Sequence, residues 1–129
     1  MKDHQPQWKS APDDHDFPAA AQYLSLLADE GGVASLVKAL HGAPTRQQKA
    51  KDILRAAGLP LLPVDNPHVA SDLAKIKAGR VLSPILLIRG DLLTGRTLQI
   101  ADGYHHVCAS YHTDENTDIP CRTAAPDPA

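Results

Sequence analysis

The sequence is poor in aromatic residues and in cysteine, and it has no long apolar run. Aromatic residues make up 4% and hydrophobic residues together 43% of the 129 residues. A wholly disordered chain is therefore excluded, and one modest core filled mainly by Leu, Ala, Ile and Val is expected. Because Cys108 and Cys121 are the only cysteines, a disulfide framework is excluded, and we interpret both as buried structural thiols.

An excess of charge of either sign is also missing. The 13 Lys and Arg residues nearly balance the 15 Asp and Glu residues, giving a formal net charge of −2. The chain as a whole therefore has no electrostatic attraction to nucleic acid or to an anionic membrane. No segment has the length of a bilayer span, and residues 1–17 lack the apolar stretch of a signal peptide. We expect a cytoplasmic protein without a membrane partner.

Composition and hydrophobic spacing divide the chain into four parts. Residues 1–17 mix Asp, His, Gln and Pro without a period and are predicted to form a flexible N-terminal tail. Residues 18–58 contain three patterns of apolar residues at helical spacing, which predict a helical subdomain. Residues 59–124 are predicted to form an α/β domain, and residues 125–129 a C-terminal tail.

Within the predicted α/β domain, strand and helix patterns alternate. A helix that begins at Asn66 or Ser71 is followed by an almost continuous apolar run over residues 81–88, which is typical of a strand covered on both faces. A returning strand over 97–101, a helix from about Tyr104 and a short last strand follow. The predicted fold class is α/β (α+β), a small mixed sheet with flanking helices that is preceded by the helical subdomain.

Three runs follow one another in a fixed order in this part of the chain: Leu82-Ser83-Pro84-Ile85-Leu86-Leu87, then Ile100-Ala101-Asp102-Gly103-Tyr104-His105-His106, then Thr117-Asp118-Ile119-Pro120-Cys121. In this order they resemble the ParB/sulfiredoxin superfamily (ParB-like nuclease domain), over residues 59–124. In that superfamily the turn between strand and helix binds nucleotide phosphates. The resemblance therefore implies a bound nucleotide, ATP or CTP with Mg²⁺, at Gly103, Tyr104, His105, His106 and Ser83.

The turn at Gly103 also fits a phosphate site on physical grounds. Glycine permits close approach of the backbone to a ligand, and the first amides of a helix lack partners and favour an anion. Tyr104 and His105 would supply donors, and His106 a charge that depends on pH. Asp102 would act as a base or as a partner of the metal, so that Asp102 and His105 are the predicted catalytic residues of an NTPase or small-molecule kinase.

Two departures from the superfamily's pattern limit the chemistry. Sulfiredoxins carry a nucleophilic cysteine where this chain has Tyr104, so reduction of a sulfinic acid by that mechanism is excluded. His106 stands where an arginine is usual, and we expect weaker, pH-dependent phosphate binding. No metal site built from protein ligands is predicted, and His4 and His15 are interpreted as solvated tail residues.

Two other functions stay open on the sequence. A non-catalytic interaction scaffold would bind a protein partner through the N-terminal helices. A DNA-associated regulator would use a basic helix over residues 46–57. We favour a solvated face for that helix, because Asp52 interrupts its basic patch. The patch consists of Arg46, Lys49, Lys51 and Arg55.

Overall fold

The structure, a computed structural model, describes residues 5–126. Within this range the helices are α1 (Asp16–Leu24), α2 (Glu30–Gly42), α3 (Ala50–Ala57), α4 (Pro67–Lys77) and α5 (Tyr104–Thr113). The strands are β1 (Gln7–Trp8), β2 (Arg46–Lys49), β3 (Val81–Leu82), β4 (Ile85–Ile88), β5 (Gln99–Asp102) and β6 (Asp118–Ala124). The predicted mixed α/β class is confirmed. No helix in the described range has the length and apolar character needed to span a bilayer.

The larger sheet has the strand order β2-β6-β4-β5 and is mixed. Strand β6 runs antiparallel to β2 and parallel to β4, whereas β4 and β5 are antiparallel. A second sheet consists of β1 and β3, which pair in parallel. All four residues of β4 are buried, which confirms a strand covered on both faces for residues 85–88 of the predicted run over 81–88. The first two residues of that run form β3 in the other sheet, and Val81 is exposed.

Apolar layers on both faces of β4 explain its burial. Ile85 and Leu87 belong to the cluster formed with α3, α4 and α5. Leu86 and Ile88 belong to the cluster formed with α1 and α2. Because successive side chains of a strand point to opposite faces, this one short strand joins both halves of the core.

The N-terminal segment corrects the prediction of a flexible tail over residues 1–17. Strand β1 pairs with β3, and the Lys9 N–H donates to the Leu82 carbonyl at 2.8 Å. Asp16 and Phe17 are buried at the start of α1. The prediction of a tail relied on the polar composition and overlooked Trp8 and Phe17. The apolar surface of these two residues favours packing of the segment onto the body of the protein.

Parts of both predicted tails lie outside the described residues. These are residues 1–4, which include His4, and residues 127–129. Residues 125–126 follow β6 without regular secondary structure. The structure therefore bears on the tail predictions only through residues 5–17 and 125–126.

Strand β2 corrects the predicted basic helix over residues 46–57 and the helical subdomain over residues 18–58. Residues 46–49 pair with β6, and only the eight residues of α3 are helical. Pairing with a strand far along the chain overrides the local helical pattern, which is a weak preference. Since β2 lies in the same sheet as β4 and β5, no boundary at residue 58 separates two units.

The basic side chains of this region do not form one helical face. Lys49 lies on β2 and its Nζ is 3.5 Å from Asp118 Oδ1, while Arg55 lies on α3 and its guanidinium is 3.1 Å from Asp52 Oδ1. Each of these cations is thus paired with a carboxylate. The predicted basic helical face over residues 46–57 therefore does not form, because two of its four cations, Arg46 and Lys49, lie on β2.

Candidate functional site

A cavity of about 530 Å³ lies beside the first turn of α5. Its volume falls within the range of about 300–1,000 Å³ that is usual for small-molecule sites. The wall combines Ser83, Asp102, Gly103, His105 and His106 with side chains from the N-terminal segment, α4 and the loop that follows α4. The latter are Lys9, Asp13, His15, Asp16, His68, Ser71, Asp72, Lys75 and Arg80.

Tyr104 is the one predicted site residue whose side chain the structure does not bring to this cavity. Its hydroxyl donates to the carbonyl of Pro60 at 2.6 Å, and its ring packs against the core. Neighbouring residues on a helix do not face the same way, so His105 can line the cavity while Tyr104 points elsewhere. The Tyr104 hydroxyl therefore supplies no donor to this cavity, and only the backbone N–H of Tyr104 could do so.

The structure requires glycine at position 103 for a reason other than the predicted close approach of the backbone to a ligand. Its φ is +108°, and a Cβ at this position would collide with the Cδ1 atom of Ile85. Glycine is thus required by the backbone and by packing on β4. No side chain caps α5, so its first-turn amides lack such a partner at the end that lines the cavity.

Asp102 lies at the end of β5 beside Asp16, the first residue of α1. Burial and the Asp16 carboxylate raise the pKa of Asp102 from 3.8 to about 6, against the opposing effect of His106 and His15. Asp16 is itself buried, and its Oδ2 accepts from the Asp13 N–H at 3.0 Å. Asp102 can therefore hold or release a proton near neutral pH, as a general acid or base must.

His106 is held by a carboxylate from another helix. Its Nδ1 lies 2.6 Å from Oδ2 of Asp72, a buried residue of α4. The edge of the Trp8 ring packs against the imidazole, with the ring centroids 6.4 Å apart. The structure thus gives His106 a fixed place beside an anionic partner, which the sequence did not predict.

His105 faces another histidine. The rings of His105 and His68 have their centroids 4.6 Å apart. Burial and the neighbouring His68 lower the pKa of His105. A neutral imidazole donates one hydrogen bond and carries no charge, so His105 is a weak electrostatic partner for phosphate at neutral pH.

The N-terminal segment offers a set of donor atoms for a divalent cation. One ligand atom each from Asp13, His15 and Asp16 lies within 4.8 Å of the others. Carboxylates combined with an imidazole suit a divalent metal ion. Lys9 already holds Asp13 at 2.6 Å and lowers its pKa. The sequence predicted no metal site built from protein ligands and named only Asp102 as a partner of a nucleotide-bound metal, so this grouping was not predicted.

Sequence reasoning missed the side chains that α4 and the N-terminal segment contribute to the wall. Asp72 had a recognisable signal, because it falls between Val69 and Ile76 on the inward face of the predicted helix. The residues from Lys9 to Asp16 had none, because only the pairing of β1 brings that segment to the cavity.

Comparison with known proteins does not assign a family. A scan against protein-family models, a search of curated proteins and a search of solved structures found no match to this chain. The relation to the ParB/sulfiredoxin superfamily stays a prediction that rests on three runs of sequence. Function is therefore inferred from the residues of the cavity.

Proposed function

We propose that the cavity binds a nucleotide, ATP or CTP, through its phosphate groups, together with Mg²⁺. One observation carries the proposal: a cavity of about 530 Å³ adjoins the first turn of α5, and Lys75 and Arg80 line the same wall. The partial positive charge of a helix N-terminus favours an anion. Arg80, which forms no ion pair with a carboxylate among residues 5–126, adds positive charge to a site of suitable size for a nucleotide.

The charges of the wall explain why a cation is part of the proposal. In the described range the wall carries four aspartates against two lysines and one arginine. Lys9 is paired with Asp13, and Lys75 Nζ lies 3.8 Å from Asp72 Oδ1. Because both lysines are already paired, a polyphosphate would meet the carboxylates of Asp16 and Asp102 without a lysine beside them. Mg²⁺ prefers oxygen ligands, and the neighbouring carboxyl groups of Asp16 and Asp102 fit that preference.

Arg80 provides the sharpest test of nucleotide binding. It lines the cavity, and within residues 5–126 no carboxylate forms an ion pair with it. Since a charged hydrogen bond contributes about 1.5–3 kcal/mol, we expect Arg80→Glu to weaken binding of Mg-ATP or Mg-CTP by about tenfold or more. Lys77→Glu is the matched control, because Lys77 is exposed at the end of α4 and lies outside the wall.

Isothermal titration calorimetry with each nucleotide and Mg²⁺ provides the measurement. Wild-type protein and Lys77→Glu should bind with the same affinity. If Arg80→Glu and Lys77→Glu weaken nucleotide binding equally, the effect is a general electrostatic attraction and does not locate a binding site. No binding of either nucleotide by the wild-type protein would refute the proposal.

Hydrolysis or phosphotransfer is the reaction class that the wall supports. His106 lines the cavity and is oriented by a carboxylate, as a group that transfers protons must be. We also place this activity in the cytoplasm. Cys108 and Cys121 are both free and buried thiols, which is usual for a protein of a reducing compartment.

A second candidate function, a protein-interaction scaffold, is favoured by the loop after α1. Leu26 and Leu27 are 80% and 56% exposed, and the loop adjoins a groove between α1 and α2. Exposed apolar side chains beside a groove are typical of interaction surfaces. Analytical ultracentrifugation of the wild type and of a Leu26→Ser, Leu27→Ser variant tests whether this surface mediates self-association.

A further inference from the structure

Asp72 and His106 have the geometry of a carboxylate–imidazole dyad. The Asp72 side chain is 7% exposed and that of His106 is 22% exposed, and their closest atoms, Oδ2 and Nδ1, are 2.6 Å apart. A carboxylate at this distance accepts a hydrogen bond from Nδ1–H, and this bond fixes the tautomer of the imidazole when the ring is neutral. The other ring nitrogen, Nε2, then lacks a proton and can accept one.

Nε2 of His106 is available to a ligand or to water. No residue in the described range hydrogen-bonds to this atom, and it is not among the buried atoms that lack a partner. His106 lines the cavity. The partly exposed imidazole of His106 thus borders the same cavity that we propose as the nucleotide site.

Both residues of the dyad lie on helices. Asp72 lies in the middle of α4 and His106 in the first turn of α5. The Trp8 ring packs against the imidazole on one side. Helical residues hold an acid–base group more precisely than loop residues do, which suits a group that must meet a reacting atom.

Ser83 supplies a second polar group without a partner. It is 6% exposed and lines the same cavity. No residue among 5–126 hydrogen-bonds to its hydroxyl, and the oxygen is not a fully buried atom. The Ser83 hydroxyl is therefore accessible to a ligand or to water in this cavity.

We propose that Asp72 and His106 act as a general-base dyad that activates water for attack on the terminal phosphate of the nucleotide; this rests on the proposed function above. Nε2 of His106 takes a proton from water while the water oxygen forms a bond to the terminal phosphorus. The bond from phosphorus to the bridging oxygen breaks, and its electron pair stays on the nucleoside diphosphate. Inorganic phosphate is the second product, and His106 returns its proton to solvent.

The two residues have different roles in this step. His106 contacts the reacting water and is the catalytic residue. Asp72 is a positioning residue, because it holds the imidazole in the right tautomer and stabilises the imidazolium that forms. The sequence pointed to His105 instead, but in the described range His105 forms no ion pair with a carboxylate and its ring faces His68.

His106→Gln and Asp72→Asn test the dyad in two measurements, release of phosphate from Mg-ATP or Mg-CTP and the Kd of the nucleotide. We expect His106→Gln to lower kcat by about 10²–10⁴-fold, the usual contribution of a positioned base. Asp72→Asn should lower kcat by at least about 10²-fold, because an amide donor favours the wrong tautomer. Because both side chains line the cavity, the Kd is measured for each variant and kcat is compared at saturating nucleotide.

Nitrogen-15 NMR of the imidazole adds a readout that a merely structural role of Asp72 would not move. The wild type should carry the His106 proton on Nδ1, and Asp72→Asn should shift it to Nε2. A wild-type spectrum with the proton on Nε2 would overturn the proposal even if neither variant folds.

The outcomes separate the dyad from the nucleotide site. Absence of nucleotide binding overturns both proposals. A wild type that binds the nucleotide without releasing phosphate, or a His106→Gln variant with unchanged kcat, overturns the dyad and leaves nucleotide binding intact. Loss of turnover in His105→Gln but not in His106→Gln would assign the base to His105.

Discussion

Replacing Asp102 with Asn should make the protein more stable at neutral and alkaline pH. The substitution keeps the size of the side chain and removes its ionisable group. In the folded protein, burial and the Asp16 carboxylate raise the pKa of Asp102 from 3.8 to about 6. The folded protein therefore binds the proton more tightly than the unfolded chain does, and ionised Asp102 disfavours folding.

The magnitude follows from this rise in pKa. For a fully buried carboxyl, a rise from 3.8 to about 6 corresponds to about 3 kcal/mol. Asp102 is only partly removed from solvent, and screening by water reduces the expected effect to about 1–2 kcal/mol. Below the unfolded-state pKa the carboxyl is protonated in both states and contributes nothing. The destabilisation of the wild type develops as the pH rises through the interval between the two pKa values and is complete above it.

Urea denaturation, followed by the fluorescence of Trp8, the single tryptophan of the chain, measures the effect. The free energy of unfolding of Asp102→Asn should exceed that of the wild type by about 1–2 kcal/mol at pH 8, and the difference should shrink towards pH 4. Asp65→Asn is the control, because Asp65 is exposed in a turn and the same loss of charge there should change stability little. A constant difference between Asp102→Asn and the wild type across the pH range would refute the reasoning.

The remaining predictions concern the packing of Gly103 against Ile85 and the burial of the two cysteines. Gly103→Ala should lower the free energy of unfolding by about 2–4 kcal/mol, because it strains the backbone and crowds Ile85. Ile85→Val removes the crowded Cδ1 atom, so in that background Gly103→Ala should lower the free energy of unfolding by about 1 kcal/mol less than it does in the wild type. Urea denaturation measures both values, and an equal loss in the two backgrounds would contradict the contact. Burial raises the pKa of Cys121 to about 12 and also raises that of Cys108. Neither thiol should react with a disulfide reagent at pH 8 until urea unfolds the protein, and fast labelling of the folded protein would contradict their burial.

The elements that the sequence predicted correctly have a local cause. Helix α4 begins where Asn66 caps it, with Oδ1 accepting from the N–H groups of His68 and Val69 at 3.0 and 3.1 Å. A capping side chain and the spacing of apolar residues can both be read over a few positions. The apolar run that became β4 is equally local, since burial on both faces requires apolar residues at every position.

The elements that the sequence did not predict depend on distant partners. Strand β2 consists of Arg-Gln-Gln-Lys, all exposed, and shows none of the alternation that marks a strand. Strand β1 has two residues and exists through its pairing with Val81 and Leu82. In both cases the partner strand lies more than a helix away along the chain, and no local pattern carries that information.

The difference between local patterns and distant contacts also explains why the sequence predicted the turn at Gly103 but not the interactions of its acid–base groups. Asp102 and His106 could be singled out from sequence, since a glycine turn before a helix is a local feature. The raised pKa of Asp102 comes from burial and from Asp16 at the start of α1, and the orientation of His106 comes from Asp72 on α4. Asp102 and His106 thus each lie beside a carboxylate from a different part of the chain. This pairing is the physical reason to prefer His106 to His105 as the base, because a carboxylate fixes the tautomer of one imidazole and leaves the other without that support.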